Sequence, residues 1–113
     1  MGEYERRELY QMYIMNNESL YKRLTYMNEN LARKKFRGVY DSSKAPKLFE
    51  YLILDAWKQY KKTFSDPDFN FTKEDLHLLA KEMTDDFEQL FKNGELDYTK
   101  QKYLVKKHKR RVG

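Results

Sequence analysis

The stretch FTKEDLHLLAKEMTDDFEQLFKNG, residues 71–94, decides the fold of this chain. Its apolar side chains recur at steps of three and four residues, the spacing that places them on one face of an α-helix. Thr72 and Asp75 approximate a capping box, and Asn93-Gly94 is a typical helix end. We therefore predict a helix between these two signals. Its predicted buried face comprises Leu76, Leu79, Ala80, Met83, Phe87, Leu90 and Phe91.

The preceding segment predicts a second helix that begins near Pro46. Proline suits the first turn because its missing N–H is not needed there, and Ser43 is a candidate N-cap. The turn residues 65–68 end the helix. Its apolar stripe is wide, as in a core helix, and we expect Trp57, in the middle of the stripe, to be buried between helices. The stripe comprises Phe49, Leu52, Ile53, Ala56, Trp57, Tyr60 and Phe64.

The first segment, residues 3–35, carries a longer apolar pattern. Its apolar positions alternate steps of three and four, the heptad pattern of a helix that packs along a seam. We predict one continuous helix here, a rod of about 45 Å. Gly38 is predicted to end it. The seam comprises Tyr10, Tyr13, Leu20, Leu24, Met27 and Leu31, with Asn17 between Tyr13 and Leu20.

Two interpretations of this seam stay open. In the first, the helix forms a homodimer or binds a protein partner, and the asparagine inside the seam fixes the register. In the second, the helix packs on the other helices of the chain; the shortness of the seam and its tyrosines favour this. The predicted rod exceeds its neighbours by about 15 Å, which favours a partner at its N-terminal end. The predicted partner-binding residues are Tyr10, Tyr13, Asn17, Leu20 and Leu24.

No segment shows sustained alternation of apolar and polar residues, so we expect no strands. The predicted fold is a small all-α domain over residues 1–98, with a long N-terminal helix and an antiparallel helix pair. A basic tail follows at residues 99–113, which either forms a short helix or orders on binding. No run of about 18 apolar residues suggests a membrane span. We expect a cytoplasmic protein, or a nuclear one if the source is eukaryotic.

The charge of the 113-residue chain is concentrated at its end. The chain carries 23 bases and 18 acids, a net charge of +5, and seven of the bases lie in residues 99–113, which contain no acid. Without them, 16 bases face 18 acids, so residues 1–98 carry a net charge of −2. A second basic cluster occupies residues 33–37, whereas residues 73–97 hold eight acids against three bases. A polyanionic partner is therefore expected at the tail and at the second cluster.

Dense cationic segments bind nucleic-acid phosphates by releasing condensed counterions. Tyr98 and Tyr103 lie near the tail charges and are candidates for stacking on exposed bases. Other interpretations stay open: a solubilising tail, a nuclear-import signal, or a site for an acidic protein or anionic lipid. The predicted nucleic-acid contacts are Lys100, Lys102, Tyr103, Lys106, Lys107, Lys109, Arg110, Arg111, Arg33, Lys34, Lys35 and Arg37.

Catalysis finds little support in the sequence. There is no cysteine, and His77 and His108 are too few for most histidine-based metal sites. No glycine-rich phosphate loop or calcium-binding spacing occurs. We therefore predict no enzyme activity, no cofactor and no metal. The favoured function is a non-catalytic nucleic-acid-binding accessory protein; the alternative is a small protein-interaction module, a regulator or inhibitor, that docks through its N-terminal helix.

Overall fold

The computed structural model describes residues 2–65 and 68–96, and within these ranges the chain is helical and contains no strand. The predicted all-α fold is thus confirmed for the described residues. The elements are α1 (Gly2–Arg7), a π-helical segment (Glu8–Ile14), α2 (Glu18–Phe36), α3 (Ala45–Thr63) and α4 (Lys73–Lys92).

Both ends of α4 follow the sequence signals. The Asp75 backbone N–H donates to the Thr72 hydroxyl at 3.1 Å, and the Thr72 N–H donates to the Asp75 carboxylate at 2.9 Å. Aspartate therefore completes the capping box in place of the commoner glutamate. At the other end Gly94 has a φ of +72°, and the Glu95 N–H donates to the Leu90 carbonyl at 3.0 Å. These are the features of a Schellman motif, in which glycine accepts the left-handed conformation.

The start of α3 differs in one detail from the prediction. Pro46 lies in the first turn as expected, but Lys44 is the N-cap residue and makes no side-chain capping bond. Ser43 is not the cap, because its N–H and hydroxyl both donate to the Asp41 carboxylate, at 2.9 and 2.6 Å. These bonds lower the pKa of Asp41 below its ordinary value. The expected N-cap therefore serves the turn before the helix.

The prediction of one continuous helix over residues 3–35 is wrong. The chain leaves helical geometry at Asn17, whose φ of −100° and ψ of 116° are extended. Its side-chain oxygen accepts the Leu20 N–H at 3.1 Å and so caps α2. Asparagine favours this position because its short side chain bonds the neighbouring backbone. Just upstream, the Met15 N–H donates to the Tyr10 carbonyl five residues back, at 2.9 Å, a π-helical bond that breaks the heptad register.

The N-terminal segment consequently folds back on the body instead of extending beyond it. Leu9 and Ile14 are completely buried. The Tyr13 ring meets the Tyr60 ring of α3 edge-on, with centroids 5.6 Å apart, and α1 packs against α4. The expected overhang is therefore absent, because the break at Asn17 redirects the segment that precedes it.

The core lies between α3 and α4 and is closed by α2 and the N-terminal segment. Trp57 is half-buried, which corrects the expectation of full burial. It packs in an aromatic cluster at the end of α3. The centroid of its ring system lies 5.9 Å from that of Tyr60, 5.2 Å from that of Phe69 and 5.4 Å from that of Phe71. The largest completely buried side chains are Phe49, Phe87, Leu9, Ile14, Leu20, Leu52, Ile53, Leu79 and Met83.

Arg6 ties the N-terminal segment to α4. Its guanidinium is 12% exposed and lies 3.3 Å from the Asp75 carboxylate and 3.2 Å from that of Glu82. Burial alone would raise the pKa of Asp75, but the hydrogen bonds from Thr72 and the Arg6 guanidinium outweigh burial and hold the pKa below its ordinary value. Since a depressed pKa stabilises the fold above the unfolded value, near 4, this contribution is lost as the pH falls.

Replacing Arg6 by methionine should therefore destabilise the fold. Arg6→Met leaves the nearly buried Asp75 carboxylate without its cation, at a cost of about 1–3 kcal/mol in urea unfolding at pH 7. The variant should also lose less stability than the native chain between pH 5 and 3. Arg7→Met is the matched control, because the Arg7–Glu3 pair is exposed and should change stability by less than about 0.5 kcal/mol. Equal effects of the two substitutions would contradict this role of Arg6.

Glu29 is a polar group in an apolar position. The residue lies on α2 and is only 6% exposed. Its Oε1 atom has no hydrogen-bond partner within the described part of the chain. Burying a carboxylate oxygen without a partner costs free energy, because that atom loses its hydration. The helix therefore carries an unfavourable contribution at this position.

Glu29→Met should accordingly raise the free energy of unfolding, by about 1 kcal/mol or more. Methionine has a similar length and helix propensity, so the substitution mainly removes the desolvated carboxylate. The control is Glu18→Met in the first turn of the same helix, where the glutamate side chain is 84% exposed. Chemical unfolding that shows Glu29→Met to be less stable than both the native chain and this control would refute the prediction.

Candidate nucleic-acid interface

A groove runs between α2 and the first half of α3 and has a volume of about 490 Å³. We call it the α2–α3 groove. Most of its lining comes from one face of α2, at the steps of three and four residues that align side chains along a helix. The lining residues are Arg23, Tyr26, Met27, Asn30, Leu31, Arg33, Lys34, Arg37, Leu48 and Tyr51.

The charges of this lining are all of one sign. Four of its residues are cations, and no carboxylate occurs among the lining residues that the structure describes. Arg23 pairs with Asp55 at 3.0 Å across exposed surface, and Arg33 donates a hydrogen bond to Asn30. Lys34 and Arg37 are exposed, and neither side chain has an ion pair with a described residue. Because these two charges are not neutralised by near neighbours, the groove attracts anions.

Two tyrosines stand on opposite walls of the groove. Tyr26 on α2 is 46% exposed and Tyr51 on α3 is 59% exposed, with Leu48 beside them on the α3 wall. Leu31 is buried beneath them. The groove thus combines aromatic and aliphatic surface with positive charge, the combination on which single nucleotides stack and pair their phosphates.

A second groove, of about 430 Å³, continues from the first toward the α2–α3 connection. The two share Leu31, Lys34 and Leu48, so Lys34 lies at their junction. Lys44 adds a further cation to the second groove, while its Asp41 carboxylate is already bonded to Ser43. An extended ligand therefore has a continuous path past the end of α2.

The predicted basic cluster divides between two sides of α2. Arg33, Lys34 and Arg37 line the α2–α3 groove. Lys35 instead lies over the rings of Tyr40 and Phe91, with its Nζ atom 4.9 and 5.4 Å from their centroids. It fastens the connection after α2 onto α4 by cation–π contacts. Lys35 is thus separated from the three cations with which the sequence groups it.

Tyr40 also holds this connection against α4. Its hydroxyl donates to the Glu88 carboxylate of α4 at 2.7 Å, and its ring lies 5.4 Å from that of Phe87. Burial and the neighbouring Glu88 carboxylate raise the pKa of Tyr40 well above its ordinary value, so the hydroxyl keeps its proton and its donor role at neutral pH. These contacts hold the connection between α2 and α3 in place beside the second groove.

The predicted basic tail lies outside the described residues. This applies to Tyr98 and to all the predicted tail contacts. They are Lys100, Lys102, Tyr103, Lys106, Lys107, Lys109, Arg110 and Arg111. Their role as phosphate contacts stays a prediction.

The predicted partner-binding residues do not form one accessible surface. Leu20 is completely buried and Leu24 is 5% exposed, both in the core. Asn17 caps α2, while Tyr10 and Tyr13 are half-buried against the body. Burial and the Asp86 carboxylate raise the pKa of Tyr10. A partner could contact the two leucines only if the bundle opened.

Sequence reasoning missed three of the charged and aromatic groove residues, Arg23, Tyr26 and Tyr51. The first two share the helical spacing of Arg33 and Arg37, and extending that spacing backward along α2 would have found them. Tyr51 gives no such signal, because only the packing of α3 beside α2 brings it to the groove. His77 is a surface histidine, and its Nδ1 lies 2.9 Å from a Glu50 carboxylate oxygen.

No protein-family model matches this chain, and no curated protein or solved structure shows significant similarity to it. Functional inference therefore depends on the groove itself. Within residues 2–65 and 68–96, no cluster of three histidines or carboxylates that could hold a metal ion occurs. In the same residues no helix is both long and apolar enough to cross a bilayer.

Proposed function

We propose that the protein is a non-catalytic nucleic-acid-binding accessory protein that contacts phosphates through the α2–α3 groove and the basic tail. One observation carries the proposal. Three cations within five residues of sequence, Arg33, Lys34 and Arg37, line one groove together with two exposed tyrosines, and the described lining contains no carboxylate.

The affinity of such a surface comes mainly from counterion release. Each phosphate that a lysine or arginine neutralises releases part of the condensed cation atmosphere of the nucleic acid. Phosphate contacts need no fixed geometry, so the groove and a cationic tail can add their contributions. Such contacts carry no base information, and we expect little sequence specificity from them.

The distribution of charge over the molecule also orients the approach of a polyanion. The stretch 73–97, most of which is α4, holds eight acids against three bases. The α2–α3 groove carries the opposite charge, with four cations in its lining. A nucleic acid is repelled by one surface and attracted by the other, which raises the fraction of productive encounters.

The chemistry of the groove supports binding rather than catalysis. Its lining consists of cations, tyrosines, an asparagine and aliphatic side chains. Proton transfer at neutral pH usually relies on a histidine or carboxylate within hydrogen-bond reach of the substrate. The described lining offers neither, so its groups suit the holding of an anion.

A second candidate function is a protein-interaction module that uses the N-terminal segment. The observation in its favour is that Tyr4 and Met12, two large apolar side chains of this segment, are about two-thirds exposed, so that a partner could cover them. Leu20 and Leu24 are buried and therefore do not belong to the proposed contact. In this case the basic residues would only steer the encounter.

Removing residues 99–113 should weaken nucleic-acid binding and reduce its salt dependence. If about five tail bases contact duplex phosphates, they contribute about −4 to −5 to the slope of log K against log salt, and truncation should remove this contribution. Fluorescence anisotropy with labelled DNA and RNA over a salt series measures this. Thermal unfolding of the truncated chain shows whether the helical body is intact.

In the truncated chain, Lys34→Gln combined with Arg37→Gln should make the remaining slope of log K against log salt less steep, by about 1–2. The matched control is Lys58→Gln with Lys81→Gln, which removes the same charge from exposed positions outside the groove. Equal affinity of the full and truncated chains at every salt concentration would show that the tail does not contribute to binding. An equal effect of the two double variants would remove the groove from the proposal.

A further inference from the structure

We infer that the α2–α3 groove takes single-stranded nucleic acid, with an unpaired base against the rings of Tyr26 and Tyr51 and the flanking phosphates on the groove cations. This inference rests on the proposed function and adds the class of nucleic acid. Duplex, in contrast, should engage only the charges.

The two tyrosines are more accessible than the aromatic residues of the core. Tyr13, Tyr60 and Trp57 are partly buried in the cluster at the end of α3. Tyr26 and Tyr51 leave 46% and 59% of their surface in water and line one groove from two different helices. Single exposed tyrosines are ordinary on protein surfaces. Two of them on opposite walls of a groove that cations border make a surface suited to a flat, charged ligand.

The order of side chains along α2 matches the alternation within a nucleic-acid strand. Arg23 lies at one end of the groove and Arg33, Lys34 and Arg37 lie toward the other, with Tyr26 between them. From residue 23 to residue 37 the helix advances about 21 Å. A strand laid along α2 therefore meets charge, then a ring, then charge, as its own phosphates and bases alternate.

Arg23 can exchange its present partner for a phosphate at small cost. Its pair with Asp55 joins side chains that are 42% and 47% exposed. Exposed pairs of this kind contribute about 0–1 kcal/mol, because water competes for both charges. Arg23 is therefore available to a ligand.

The size of the groove and the accessibility of bases both favour a single strand. A volume of about 490 Å³ lies in the range, about 300–1,000 Å³, that encloses small organic ligands. In a duplex each base is covered on both faces by its neighbours, so a protein ring can stack only on an unpaired base. The second groove continues past Lys34 to Lys44 and offers a path for the next nucleotides.

The test compares three labelled probes with the full chain at constant ionic strength: a 12-residue oligothymidylate, a 12-base-pair duplex and polyglutamate. Tyr26→Leu and Tyr51→Leu should each lower the affinity for oligothymidylate about 10-fold and change the affinity for duplex less than about twofold. Tyr26→Phe and Tyr51→Phe should retain binding, because the ring is kept. Tyr21→Leu is the matched control, since Tyr21 lies on the same helix, is also 46% exposed, and does not line the groove.

The outcomes separate this inference from the function on which it rests. If oligothymidylate and duplex both bind but the leucine variants bind as the native chain does, the single-strand inference is overturned and the proposed function stands. If no nucleic acid binds at low salt, the proposed function fails as well. Polyglutamate binding as tightly as oligothymidylate would identify the groove as a site for acidic peptides and overturn the inference.

Discussion

The hydrogen bond from the Leu20 N–H to the Asn17 side chain determines how this bundle is assembled. By capping α2, Asn17 stops the helix before it from running straight on. The segment 2–14 can then lie across α3 and α4, where Leu9 and Ile14 close the core and Arg6 reaches Asp75. The opposite arrangement, a single rod, would leave this part of the core open to water.

The sequence predicts α3 and α4 well because their signals are local and agree with one another. Apolar periodicity and the Thr72–Asp75 capping box point to one helix with the same limits. Asn17 is different, because an asparagine fits both a heptad seam and a helix N-cap. Periodicity alone cannot choose between the two, and here the local hydrogen bond prevails. In the first segment a heptad pattern therefore runs across a local stop signal, and the stop signal decides the structure.

The candidate site could be predicted in part. Consecutive bases near residue 35 mark a cationic region, and three of them do line the groove. Adjacent residues on a helix point about 100° apart, so Lys35 takes the other side and meets Tyr40 and Phe91. Tyr51 belongs to the following helix and reaches the groove only through the packing of α3. Composition locates the charge, whereas the three-dimensional arrangement selects which side chains act together.

Asp75 belongs to two structures at once, the capping box of α4 and the anchor of Arg6. Two groups that share a partner are coupled energetically. When the N-terminal segment detaches, the first turn of α4 loses part of what orders it, and fraying of that turn loosens the segment in return. The segment 2–14 and the start of α4 are therefore coupled energetically, although α2 and α3 lie between them along the chain.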